Sequence, residues 1–231
     1  MKAQRLRLTF ARGDEAGELS HREIMRALEQ AMRELSLPLT YSEGRRHTAQ
    51  ISIGAPLPLG VTSACELADI FLSERMEPAR FAAALREALP PGLESLSALE
   101  VGLDLPALQT QVRWTEYEVD VPRGGRSVED IRHAISNILV ARSLPWEHRR
   151  ETKVLHYDLR PLVLELRLEA EGEEACRLSM RLRIDRERSG RADQVVAALG
   201  LDLPLRVHRR RLYVEQTPPA VSAYRRRGER D

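Results

Sequence analysis

Residues 18–60 read ELSHREIMRALEQAMRELSLPLTYSEGRRHTAQISIGAPLPLG, and the order of signals in this stretch decides the fold. Ser20 is a good N-cap, because its hydroxyl can accept from the unpaired amide three residues on. Glu23 occupies that third position and completes a Ser-x-x-Glu capping box. Ile24, Leu28, Ala31, Met32 and Leu35 then form one helical stripe, with Arg22, Arg26, Glu29, Arg33 and Glu34 largely on the other side. Pro38 stops the helix. A polar loop from Tyr41 to His47 leads into the alternating run Ala49, Ile51, Ile53, which predicts a strand.

Working outward, Leu6, Leu8 and Phe10 alternate with Arg5, Arg7 and Thr9, so the helix is preceded by a half-buried strand from Gln4 to Arg12. Downstream, residues 64–73 read as a strand. Pro78 opens a helix with Phe81, Ala82, Leu85 and Leu89 on one face, and residues 93–103 return as a strand after Pro90-Pro91-Gly92. The order is β-α-β-β-α-β. Leu105 to Gln109 is the natural joint, and a second copy of the plan follows. It comprises a strand over 111–121 with a phase slip near Thr115, a helix capped by Ser127, a hairpin turning at Gly172, a short helix ending at Gly200, and a last strand over 205–215. Residues 152–158 add extended chain. The fold class read from this is α+β: two tandem ferredoxin-like (β-α-β-β-α-β) units with antiparallel sheets, spanning 4–104 and 110–216, with a mobile basic tail at 217–231 that contains Arg225-Arg226-Arg227.

Composition narrows the function classes. The charges balance to +1, so no global drive toward nucleic acid or membrane follows. They are uneven, however. Residues 1–108 carry 12 Lys+Arg and 15 Asp+Glu, leaving 36 − 12 = 24 against 35 − 15 = 20 for residues 109–231. Nearly all the cations are arginine, the residue suited to forked contacts with phosphate and carboxylate. Cys65 and Cys176 form no Cys-x-x-Cys pair and predict two buried thiols in a reducing cytoplasm. No apolar run is long enough for a membrane span, and Met1 to Arg5 enters a strand at once, without the apolar core of a signal peptide.

No catalytic or cofactor motif stands out. The six histidines make no i, i+4 pair, and no phosphate loop, dinucleotide fingerprint or nucleophile elbow occurs. Neither a metal nor a cofactor is predicted. What remains is arginine on strand faces. Arg5, Arg7, Arg181 and Arg183 alternate with apolar partners, and Arg209 and Arg211 fall on the last strand. On the uncovered face of a sheet they could track a phosphate backbone, with Tyr157 and Tyr213 as stacking groups. Cross-strand ion pairs with Glu165, Glu169 and Glu215 are the plain alternative. A second candidate is a polar rim of His21 with Arg45, Arg46 and His47, for which a solvated helix start is the plain alternative. Asp158, Arg160 and His208 complete the candidate list, and Asp158 and Asp193 are the carboxylates an enzyme could use.

The segments Leu19-Ser20-His21, Ile24 to Glu29, Leu37-Pro38-Leu39, Tyr41 to Gly44, Ile51-Ser52 and Leu57 to Val61 together resemble the radical SAM-linked protein family, as do Asp158 to Leu162 and Leu205 to Arg209. The family comprises bacterial domains of unknown function, found alone or fused behind cobalamin-binding radical SAM proteins. The resemblance implies an accessory role beside a cobalamin-binding radical SAM protein, presenting an RNA or protein substrate, and together with the arginine-lined strands tRNA or rRNA is the expected guest. The reading is thus a non-catalytic, substrate-binding module for RNA. An RNA-modifying enzyme with a duplicated ferredoxin-like core, and a pure protein-interaction partner of the radical SAM protein, stay open.

Overall fold

The computed structural model describes residues 1–43, 47–150, 153–184 and 188–215. Strand β1 (Gln4–Arg12) is followed by helix α1 (His21–Glu34), a short β2 (Ile51–Ile53), β3 (Val61–Leu72), α2 (Pro78–Ala88) and β4 (Leu93–Val101). A one-turn helix, α3 (Leu108–Gln111), leads into β5 (Val112–Pro122), α4 (Val128–Val140), β6 (Pro145–Arg150), β7 (Lys153–Asp158), β8 (Val163–Glu171), β9 (Ala175–Arg183), α5 (Ala192–Ala198) and β10 (Arg206–Val214).

The local signals act where the sequence puts them. Ser20 caps α1 with both arms of the capping box formed, and Ser127 with Asp130 does the same for α4. Ile24, Leu28, Ala31 and Met32 are the buried stripe of α1. Gly92 turns the chain between α2 and β4 at φ +82°. A Cβ there would lie 2.4 Å from the Ala16 backbone nitrogen, so both conformation and space require glycine.

The architecture is α+β with a mostly antiparallel sheet. Eight strands form one sheet in the order β4-β1-β3-β10-β5-β9-β8, with β2 on the same side of β3 as β10, while β6 and β7 form a separate hairpin. The two sheets expected from the sequence are therefore one. Among residues 4–101 the order is β4-β1-β3-β2, and among residues 112–214 it is β10-β5-β9-β8. Both run fourth, first, third, second. The halves join where Val207, His208 and Arg209 of β10 pair in parallel with Val61, Thr62 and Ser63 of β3. The reason is the shortness of β2. It covers only Ala68 to Ile70 of β3, so the start of β3 has an open edge, and an open edge is a template for another strand.

Two main cores back the sheet. One packs α1 and α2 on Leu6, Leu8, Phe10, Ala68, Ile70 and Leu72. The other packs α4 and α5 on Val119, Val121, Leu178, Met180 and Leu182. A third, small cluster at the seam joins Ala55, Leu67, Leu108, Val112 and Leu212. The phase slip in β5 is found at Arg113. Tyr213 pairs with Trp114 and Val214 with Val112, leaving Arg113 as the extra residue.

Candidate functional site

The uncovered sheet face is less open than the sequence suggests. Arg5, Arg7 and Arg209, expected on that face, are 2%, 7% and 2% exposed. Arg5 and Arg7 both fork onto Asp69, Arg5 through Nη2 at 2.5 Å and Arg7 through Nε at 2.8 Å. The linker between the halves closes over them, and the Leu105 and Pro106 carbonyls accept from Arg5 at 2.6 and 2.9 Å. Two arginines around one buried carboxylate, with Arg5 also donating to backbone carbonyls and Arg7 to the Gln111 side-chain oxygen at 3.3 Å, describe an internal tether.

Arg181, Arg183 and Arg211 remain off the core, but two of them are engaged. Arg181 bonds Glu116 at 2.9 Å and Glu165 at 2.7 Å, with its guanidinium 4.3 Å from the Trp114 ring. Arg211 donates to the Tyr213 hydroxyl at 3.3 Å. Tyr213 itself is stacked on Trp114, which takes one of its two faces. Beside them, Arg177 and Asp120 pair through two hydrogen bonds, at 2.6 and 3.0 Å. This face is an alternating ladder of opposite charges, the cross-strand pattern that stabilises a sheet. Arg183 is exposed at the end of β9.

The remaining candidates separate. His21 is exposed on the first turn of α1, and His47 is exposed in the following loop. Arg45, Arg46 and the tail from 217 lie outside the described residues. Asp158 has a structural task. It accepts from the amides of Leu144 (2.7 Å) and Arg160 (3.0 Å), and these bonds, Leu144 first, hold its carboxyl below the usual range. Arg160 donates to the carbonyls of Val163 and Leu139, both at 2.7 Å, the latter among the unpaired oxygens at the end of α4. His208 contacts the Thr62 hydroxyl through Nδ1 at 2.8 Å across the seam, and burial lowers its pKa. Of the two cysteines, Cys176 is buried and Cys65 half-buried, and both are free.

What the sequence did not reveal is a cleft of about 1140 Å³ over the seam. The Gly54–Val61 loop, β7, residues 188–194 and the chain entering β10 wall it. Its floor is a buried ion pair. Arg209 of β10 reaches Glu66 of β3 at 2.9 Å, the Tyr117 hydroxyl of β5 at 2.9 Å and the Ala55 carbonyl at 2.8 Å. Burial pushes the Glu66 carboxyl up, against the pull of Arg209. Burial also works against the Arg209 charge, but Glu66 and Tyr117 outweigh it and hold the guanidinium protonated. Close by, Arg12 is buried with no carboxylate bonded to it and gives its donors to carbonyls, including Ala16 at 3.0 Å and Leu19 at 2.9 Å. Among the described residues Arg188, Arg191, Arg206 and Arg209 line the cleft; Arg209 is held by Glu66 in its floor, and Asp193 pairs with Arg191 through two 3.0 Å bonds. Four leucines that the wall leaves exposed, Leu59, Leu155, Leu203 and Leu205 (60, 49, 83 and 67%), ring the same space. The sequence singled out Tyr157, Asp193 and Arg209 separately, and nothing in it placed them together or against the Gly54–Val61 loop.

The fold and cleft define an α+β protein with a seam of two sheet halves and an arginine-lined cavity above it. The chain belongs to a family of uncharacterized proteins conserved in bacteria, DUF2344, whose model matches residues 5–192. No curated protein matches it. A chain of a solved Cbf5-Nop10-Gar1 complex is similar over 88% of this chain and 48% of its own length, with TM-score 0.50 and 8% identity. The present chain thus spans about half of that structure, and the likeness concerns the fold alone. An unknown protein from Galdieria sulphuraria aligns over 91% of this chain and 98% of its own, at 17% identity and TM-score 0.26. Among the described residues no helix is long and apolar enough to cross a membrane.

Proposed function

We propose that the chain is a cytoplasmic RNA-binding module that takes single-stranded RNA into the seam cleft and works beside a cobalamin-binding radical SAM enzyme. Its frame is a pair of ferredoxin-like units, 4–104 and 110–216, fused edge to edge. The repeated fourth-first-third-second strand order supports that description. The observation that carries the binding reading is the lining of the cleft: among the described residues it holds four arginines, two of them answered by Glu66 and Asp193, ringed by exposed leucines. Cations steer and hold the phosphate backbone, and apolar groups accept the faces of unstacked bases. The radical SAM partner rests on the sequence resemblance, and the reducing compartment on the two free thiols.

Filter-binding of tRNA and rRNA fragments over a salt series tests this reading. Affinity is expected to fall steeply with salt. Arg206→Glu, which reverses an exposed cation in the cleft wall, is expected to weaken binding by about tenfold or more. Absent or salt-independent binding overturns the RNA assignment. One observation favours a second reading, a catalyst acting on the bound RNA: the Asp193 carboxylate stands in the wall, oriented by Arg191. Mass spectrometry of cellular RNA from strains carrying wild-type or Asp193→Asn protein distinguishes them, and unchanged nucleoside profiles leave the binding module alone.

A further inference from the structure

We infer that the cleft is built around one unstacked nucleobase, whose edge accepts a hydrogen bond from the Gln194 side-chain amide. This rests on the RNA reading and adds the chemical unit that the site selects.

Gln194 is 4% exposed and lines the cleft. It sits in α5, whose neighbouring Ala192, Val195 and Val196 are buried in the second core, so its backbone is rigidly seated. From β7, the Tyr157 hydroxyl donates to Gln194 Oε1, which fixes the amide plane. Burial raises the Tyr157 pKa, so the phenol keeps its proton and remains a donor at neutral pH. Pinned this way, Gln194 Nε2 is buried with no acceptor among the described residues. A buried donor without an acceptor is costly, and buried polar groups in folded proteins are almost always partnered. Gln194 lines the cleft, so a guest seated there, meeting the amide as it turns outward, supplies the missing acceptor.

The surroundings specify that guest. Leu59, Leu155, Leu203 and Leu205 present apolar faces to a flat ring. Arg206 supplies a charge for an attached phosphate. A volume of about 1140 Å³ exceeds what a small ligand alone needs, leaving room for a nucleotide and its neighbours. A base offers planar apolar faces to the leucines and an acceptor edge to Gln194 together.

The test uses the full chain with free ligands: the four nucleoside 5′-monophosphates, and ribose 5-phosphate as the same anion without a base. At least one nucleotide is expected to bind about tenfold or more tightly than ribose 5-phosphate. Gln194→Met, which removes the donor without adding charge, is expected to abolish that preference. Equal binding of ribose 5-phosphate, binding of no nucleotide, or an unaltered preference in folded Gln194→Met overturns the base site. The wild-type comparison stands by itself if the variant fails to fold. RNA retained on filters with no base preference would overturn this inference and leave the RNA reading standing. Nucleotide selectivity without RNA retention would do the reverse.

Discussion

At the residue scale, the pairs that matter are those with no access to water. Arg209 and Glu66 are 2% and 3% exposed and bridge β10 to β3. Removing one partner strands the other charge, so Arg209→Met is expected to cost about 3–5 kcal/mol in urea unfolding. Adding Glu66→Leu to it should restore much of that loss, because a buried pair is replaced by apolar volume. A double variant no more stable than the single one rejects the pairing argument. Asp158 makes a pH prediction. Its amide partners lower its folded pKa below the unfolded value, so its contribution is complete above about pH 4 and is lost as pH falls through the folded pKa. Asp158→Asn is therefore expected to make the acid limb of the stability curve shallower, and a limb of unchanged steepness would refute the role given to Leu144 and Arg160.

At the element scale, caps and turns were the legible part, because they are short-range chemistry. The Ser20 and Ser127 boxes could be read directly, since a hydroxyl and a carboxyl three residues apart reach the same unpaired amides wherever the helix docks. Ser20→Ala should cost about 1 kcal/mol by thermal or urea unfolding. Gly92→Ala should cost more, about 2 kcal/mol or above, since it adds a left-handed backbone to a contact with the Ala16 amide. A smaller loss for Gly92→Ala than for Ser20→Ala would contradict the steric account. Alternation misled at Arg5 and Arg7. Off-core position in an alternating strand predicts solvent, yet the linker after β4 folds across that face and Asp69 answers both charges. The β6–β7 hairpin was half-read, because His148 to Arg150 carries no apolar alternation to mark a strand.

At the scale of the whole molecule, the seam couples the halves. Only three residue pairs of β3 and β10 join in parallel, but Arg209, Tyr117 and the small cluster around Leu108 and Leu212 tie both sides together. The expected outcome is one cooperative unfolding transition. Trp114 and Trp146 both lie in the second half, so their fluorescence should share its urea midpoint with hydrogen-exchange protection of β1 amides in the first. Two separated midpoints would show that the seam does not couple them.

By itself the chain determined its four longer helices, the Ser20 and Ser127 caps and most strand positions, because these follow from hydrophobic period and from bonds between residues three or four apart. Tertiary structure alone decided that two sheet halves become one, that Arg5, Arg7 and Arg209 turn inward, and that Gln194, Tyr157 and four exposed leucines share a cavity. The physical reason is that an open strand edge and an unpaired charge are local facts, while the partner satisfying each lies 62 to 146 residues away in sequence, and no local pattern encodes which distant group will meet it.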